Sequence, residues 1–131
     1  MTMTAYELNG NGSACRFIDG EAVLINAETS AYYSMNRTGA FVLYELLVSG
    51  RQQDEIAHIL EDRFGAQSAD LNDDVGRTIA QLVGEGLIVA KYEPFIASEI
   101  EGADSVDMPP VYEPPTLERH GELEQLILSG E

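Results

Sequence analysis

Between residues 14 and 36 the apolar positions fall in short runs separated by turn residues. "ACRFI" (14–18) meets Asp19-Gly20 and then "EAVLINA" (21–27), the signature of two strands joined by a two-residue turn. After the polar break "ETS" comes "AYYSMN" (31–36), short, aromatic-rich and compatible with a third strand. These runs predict a three-stranded antiparallel meander with one face available for helices.

From Asn36 onward the apolar period lengthens to that of helices. Asn36 is placed to cap the first, where "TGAFVLYELLVSG" sets Phe41, Leu43, Tyr44, Leu47 and Val48 broadly on one side before Gly50. The second, "QQDEIAHILEDRFG" (52–65), spaces Ile56, Ile59, Leu60 and Phe64 at helical intervals and stops at Gly65. The third, "LNDDVGRTIAQLVGEG" (71–86), aligns Val75, Ile79, Leu82 and Val83. Its Asn72, Asp73 and Asp74 suit a positive helix N-terminus, and Gly86 suits its stop. "LIVA" (87–90) then closes the domain. The pattern predicts an α+β fold over residues 1–92, with a three-stranded antiparallel sheet packed on three helices.

Beyond residue 92 the periodicity is lost. Residues 93–110, "EPFIASEIEGADSVDMPP", are acidic, hold three prolines and read as a linker. Residues 111–131 form an extended C-terminal tail. Of the net charge of −16, residues 93–131 contribute −9 (10 acidic, 1 basic) in under a third of the chain. So acidic a molecule repels phosphate backbones, which argues against nucleic acid as a partner. A winged-helix regulator would need a basic recognition helix, and the third helix has only Arg77 against Asp73, Asp74 and Glu85. No apolar run approaches the roughly 18 residues of a membrane span, and no secretory signal is visible, so the expected location is cytoplasmic.

The sequence holds no recognisable catalytic constellation, and no enzyme activity, cofactor or metal is expected. The single cysteine, Cys15, reads as a buried strand thiol. His58 and His120 have no partner at metal-ligand spacing. "NGNG" lacks the strand and the Lys-Ser/Thr of a phosphate loop, and "DLNDD" (70–74) misplaces the Gly and Glu of a calcium loop.

The stretch from about Gly20 to Val89 resembles the PqqD-like domains, or RiPP recognition elements, which bind precursors of ribosomally made peptide natural products. The resemblance is carried by Tyr33-Ser34-Met35-Asn36 with Gly39, similar to the family's tyrosine–x–leucine–asparagine segment with methionine in place of leucine, and by Asp74-Val75 and Gly86-Leu87-Ile88. It implies a winged helix-turn-helix arrangement, a non-catalytic role, and delivery of the bound substrate to a leader peptidase and a cyclase. The fold alone leaves open another pathway, such as quinone-cofactor synthesis with a radical enzyme as partner.

In the tail, Tyr112-x-x-Pro115-x-Leu117-x-x-x-Gly121 resembles the leader signature of lasso-peptide precursors, although Glu131 is reached with no core peptide. The implied partner is a precursor leader peptide, either this chain's own tail or a neighbour's, bound by strand addition. The expected groove lies between Ala31, Tyr32, Tyr33, Ser34 and Met35 on one side and Asp74, Thr78 and Gln81 of the third helix on the other. Val111–Leu117 is expected to form the added strand, with Glu113 outward and Arg119 near Asp74. Gly121 would turn the chain into "ELEQLILSG", whose Leu123, Leu126 and Ile127 would form a helical turn against the protein.

Overall fold

A computed structural model describes residues 5–10, 12–65, 68–91 and 95–122. Strands β2 (Ala14–Ile18), β3 (Glu21–Asn26) and β4 (Ala31–Met35) form the antiparallel meander. Asp19 and Gly20 turn the first hairpin with φ of 51° and 83°, the paired positive values that a two-residue turn between right-twisted strands requires. At the second turn the Asn26 Oδ1 accepts from the Glu28 and Thr29 N–H groups. The side-chain period of two puts Phe17, Ala22, Leu24, Tyr33 and Met35 on the buried face.

Helices α1 (Arg37–Leu47), α2 (Gln53–Phe64) and α3 (Ser68–Gly84) cover that face. Asn36 caps α1, its Oδ1 accepting from the Gly39 N–H at 2.8 Å. Glu55 reaches back to the Gln52 N–H at the start of α2, and Gly65 ends that helix in the left-handed conformation. Leu43, Leu46, Leu47, Ile56, Leu60, Leu71 and Leu82 are fully buried between helices and sheet. Each contributes about 1.5–3 kcal/mol relative to an exposed position.

Several details differ from the sequence reading. The principal sheet has four strands, in the order β2-β3-β4-β6, because tail residues Leu117–Glu122 (β6) join it. A second, two-stranded sheet pairs β1 (Ala5–Leu8) with β5 (Ile88–Lys91), so "LIVA" closes the domain against a strand that the pattern left unassigned. Helix α3 begins at Ser68, which moves Asn72–Asp74 from its first turn into its second. Val83 is 44% exposed and lies off the apolar face.

Residues 95–106, expected to run as a linker, pack on the domain. Ile100 is buried in the core, and Ser98 N–H donates to the Leu47 carbonyl. The Phe17 N–H donates to the Glu101 carbonyl at 2.9 Å, so this segment lies along the open edge of β2. A short 3-10 turn, Ala103–Ser105, follows, and its Ser105 Oγ accepts from the Gly20 N–H. An edge strand is thus covered by backbone pairing. Cys15 lies in β2 and is partly rather than fully buried, and the desolvation it does meet pushes its thiol up to about 12. No described helix is long and apolar enough to cross a membrane.

Candidate functional site

The free edge of the meander is β4, and β6 occupies it. The pairing is antiparallel: Met35 faces Leu117, Ser34 faces Glu118, Tyr33 faces Arg119 and Ala31 faces Glu122, with an irregularity between Ala31 and Tyr33. Residues opposite one another share a face. Leu117 and Arg119 therefore turn toward α3, where they line a hollow with Tyr33, Gln81 and Glu85. Glu118 and His120 turn to the outer face, where His120 contacts the Ser34 hydroxyl at 2.6 Å and stacks on Tyr32 at a centroid distance of 5.3 Å.

The added strand thus begins where the expected Val111–Leu117 strand was to end. The register gives the reason. In an antiparallel pair Met35 meets Leu117, and every earlier tail residue runs past the end of β4, which stops because Asn36 starts α1. Residues 111–116 lie instead over the helices. Gly121 has φ of 100° inside β6, so it does not end the strand. Leu123, Leu126 and Ile127 lie outside the described residues.

Tyr112 is half-buried and reaches the α2–α3 pair. Its ring meets Phe64 at 5.6 Å, and its hydroxyl donates to the Asp74 Oδ2 at 2.7 Å. The second Asp74 oxygen lies 3.4 Å from Arg77. Asp74's basic neighbour is therefore Arg77 of its own helix, while the expected Arg119 sits opposite Tyr33. Thr78 is buried and donates to the Asp74 carbonyl within α3. Glu113 and Val111 are exposed. On the groove floor the Tyr33 hydroxyl donates to Glu85 at 2.8 Å, and Asn26 donates to the Glu85 carbonyl, which ties β3 and β4 to the end of α3.

Phe64, Glu85, Asn36 and His120 were not among the expected groove residues. Phe64 and Glu85 were legible only as helix-face and helix-end residues, and nothing in their spacing marks a contact with Tyr112 or Tyr33. Gly39 is a further contact point: a Cβ there would stand 2.9 Å from the Thr116 carbonyl and 3.1 Å from the Met35 Cβ. A glycine in the first turn of α1 lets the tail backbone approach this closely.

Burial first, and the bond to Asp74 second, push the Tyr112 phenol above its ordinary range. Burial, then the bond to Glu85, does the same for Tyr33. A raised phenol pKa stabilises the docked state below the ordinary tyrosine value of about 10 and loses that contribution as pH rises above it. Docking is expected to hold at neutral pH and to weaken by up to about tenfold per pH unit above pH ~10. A tyrosinate absorbance titration checks this: Tyr112→Phe should remove one late-titrating tyrosine. Loss of an ordinary phenol instead would count against the buried contact.

The site is built for holding an extended chain. Its parts are an open strand edge, a half-buried aromatic contact with a polar end, and a hollow lined by Tyr33 and Gln81. Among the described residues no group of three His, Cys, Asp or Glu side chains is placed to hold a metal ion.

The family profile of coenzyme PQQ synthesis protein D matches residues 21–88, just over half of the 131-residue chain. The match ends before the tail. No curated protein is a significant match. Two solved structures share the fold. TbiB1 in complex with the TbiA(beta) leader peptide is 18% identical with a TM-score of 0.56, over 63% of this chain and 93% of that one. Lasso peptide synthetase B1 complexed with the leader peptide is 20% identical with a TM-score of 0.58, over 64% and 96%.

Proposed function

Since the chain belongs to the PqqD family, we propose that it is a non-catalytic recognition module that binds the leader of a ribosomally made, lasso-type precursor and presents it to processing enzymes. The observation that carries the proposal is the antiparallel seating of β6 on the edge of β4, with Tyr112 held by Phe64 and Asp74. Strand addition gives affinity through the backbone and selectivity through alternate side chains. Both similar structures are complexes with a leader peptide, which supports the same use of the fold here. The α2–α3 pair beside the meander is read as a winged helix-turn-helix whose helix face serves a peptide.

In this reading the tail is a built-in or fused leader that occupies the groove of its own chain or of a neighbour. Leader peptidase and cyclase are the partners that would receive the bound precursor. A second reading, a recognition module for quinone-cofactor synthesis, is favoured by the family profile. The Tyr112, Pro115, Leu117 and Gly121 spacing favours the lasso assignment.

The test is titration of a labelled peptide of residues 108–131 onto a chain ending at Asp107. That end point keeps Ile100 and the cover of β2, which a cut at residue 92 would remove. Saturable binding is expected, and Leu117→Ala in the peptide should weaken it about tenfold through lost apolar burial of 1–2 kcal/mol. Glu113→Ala should leave it unchanged. Absence of binding, or equal and negligible effects of both substitutions, would remove the leader reading.

A further inference from the structure

We infer that Asn36 is a specificity-determining residue of the groove, whose side chain extends the β4 ladder beyond the end of its strand and reads the peptide backbone on both sides of Pro115. This rests on the reading of the tail as the groove's occupant. Backbone pairing of β4 with β6 ends at Met35 and Leu117, because Asn36 turns the chain into α1. The next polar groups offered to the tail are those of Asn36. Its Nδ2 donates to the Pro114 carbonyl at 2.9 Å, and its Oδ1 accepts from the Thr116 N–H at 3.1 Å. The Asn36 N–H also donates to the Thr116 hydroxyl at 3.3 Å.

The carbonyl of one residue and the N–H two positions later point to the same side of an extended chain, the pair that a single residue of a neighbouring strand engages in a parallel ladder. A carboxamide holds one donor and one acceptor side by side and can replace that strand. The residue between the two groups needs no N–H on this side. Proline is therefore accepted at 115 and lowers the entropy lost on docking. Proline at 116 would remove the donated N–H. The selection made here is thus a backbone rule: acceptor at 114, donor at 116, proline allowed between.

The same Oδ1 that takes the Thr116 N–H also caps α1 through the Gly39 N–H. Ordinary helix capping would explain Asn36 without any peptide, and chemistry separates the two roles. Aspartate caps a helix as well as asparagine and also favours its positive N-terminus. It cannot donate, and its second oxygen would face the Pro114 carbonyl. Asn36→Asp therefore keeps the cap and loses the reading of the peptide.

The experiment is amide hydrogen exchange on the full chain, comparing wild type with Asn36→Asp and Asn36→Ala. In the wild type, protected amides are expected over residues 116–121. Asn36→Asp should lower that protection about tenfold or more while leaving the Gly39 and Ala40 amides unchanged. Asn36→Ala should lower protection both in the tail and at the start of α1. Tail protection unchanged in Asn36→Asp would overturn the inference and leave Asn36 as a cap, with docking intact. A wild-type tail without protection would overturn the docking reading itself.

Discussion

Tyr112→Ala is expected to release the tail from its groove. The substitution removes a half-buried ring from Phe64 and a hydroxyl that donates to a carboxylate at 2.7 Å. Loss of apolar burial and of a charge-assisted hydrogen bond together should cost about 3 kcal/mol of docking energy, or roughly a hundredfold in affinity. Tyr112→Phe separates the two parts. It keeps the ring and leaves Asp74 with its pair to the exposed Arg77, so a smaller loss of about tenfold is expected. Peptide titration on the chain ending at Asp107 measures both. If Tyr112→Ala binds as tightly as the wild-type peptide, the aromatic contact with α2 and α3 contributes nothing, and the tail is held by β6 alone.

Gly102→Ala should destabilise the domain by about 3 kcal/mol, a fall in melting temperature on the order of 10 °C. Gly102 has φ of 82°, and a Cβ there would fall 1.8 Å from the Phe17 carbonyl oxygen and 2.7 Å from its carbon. Both atoms are backbone of β2, so no side chain can swing aside. The segment would have to lift, giving up the burial of Ile100 and the Phe17 N–H to Glu101 bond. Thermal unfolding followed by circular dichroism checks the outcome. An unchanged melting temperature would mean that residues 100–106 add nothing to the fold and act as the linker their composition suggests.

The contrast between those two readings of residues 95–106 shows why part of the fold was not legible. Ile100 and Phe95 are isolated apolar anchors in an acidic stretch, and Phe95 packs over Gly50. A segment held by single anchors and by backbone bonds to an edge strand leaves no period in the sequence. Strand β1 escaped notice for a related reason. It has four residues, and its partner β5 lies some eighty positions away. Short strands paired over such a distance carry little local signal.

Within the site, the anchor residues and their register were separable problems. Tyr112 and Leu117 were singled out by their resemblance to a leader signature and Gly39 by the PqqD-like segment, not by any local period in the chain. Which of them meets which strand could not be read, because strand pairing repeats every two residues and no tail residue names its partner. The cap at Asn36 decides it by ending β4 after Met35.

Local chemistry in the sequence by itself determined the meander, its Asp19-Gly20 turn, the three helices and their stops at Gly50, Gly65 and Gly86. Turn dihedrals, caps and apolar periodicity act over a few residues and leave their mark in the chain. Only the tertiary structure decided that β6 fills the open edge of β4, that Tyr112 finds Asp74 and Phe64, and that Asn36 serves both helix and tail. Those contacts join residues 38 to 91 positions apart. They arise because an unpaired strand edge must find backbone partners, and a partly buried carboxylate with a free oxygen accepts a hydroxyl, wherever the folded chain brings them.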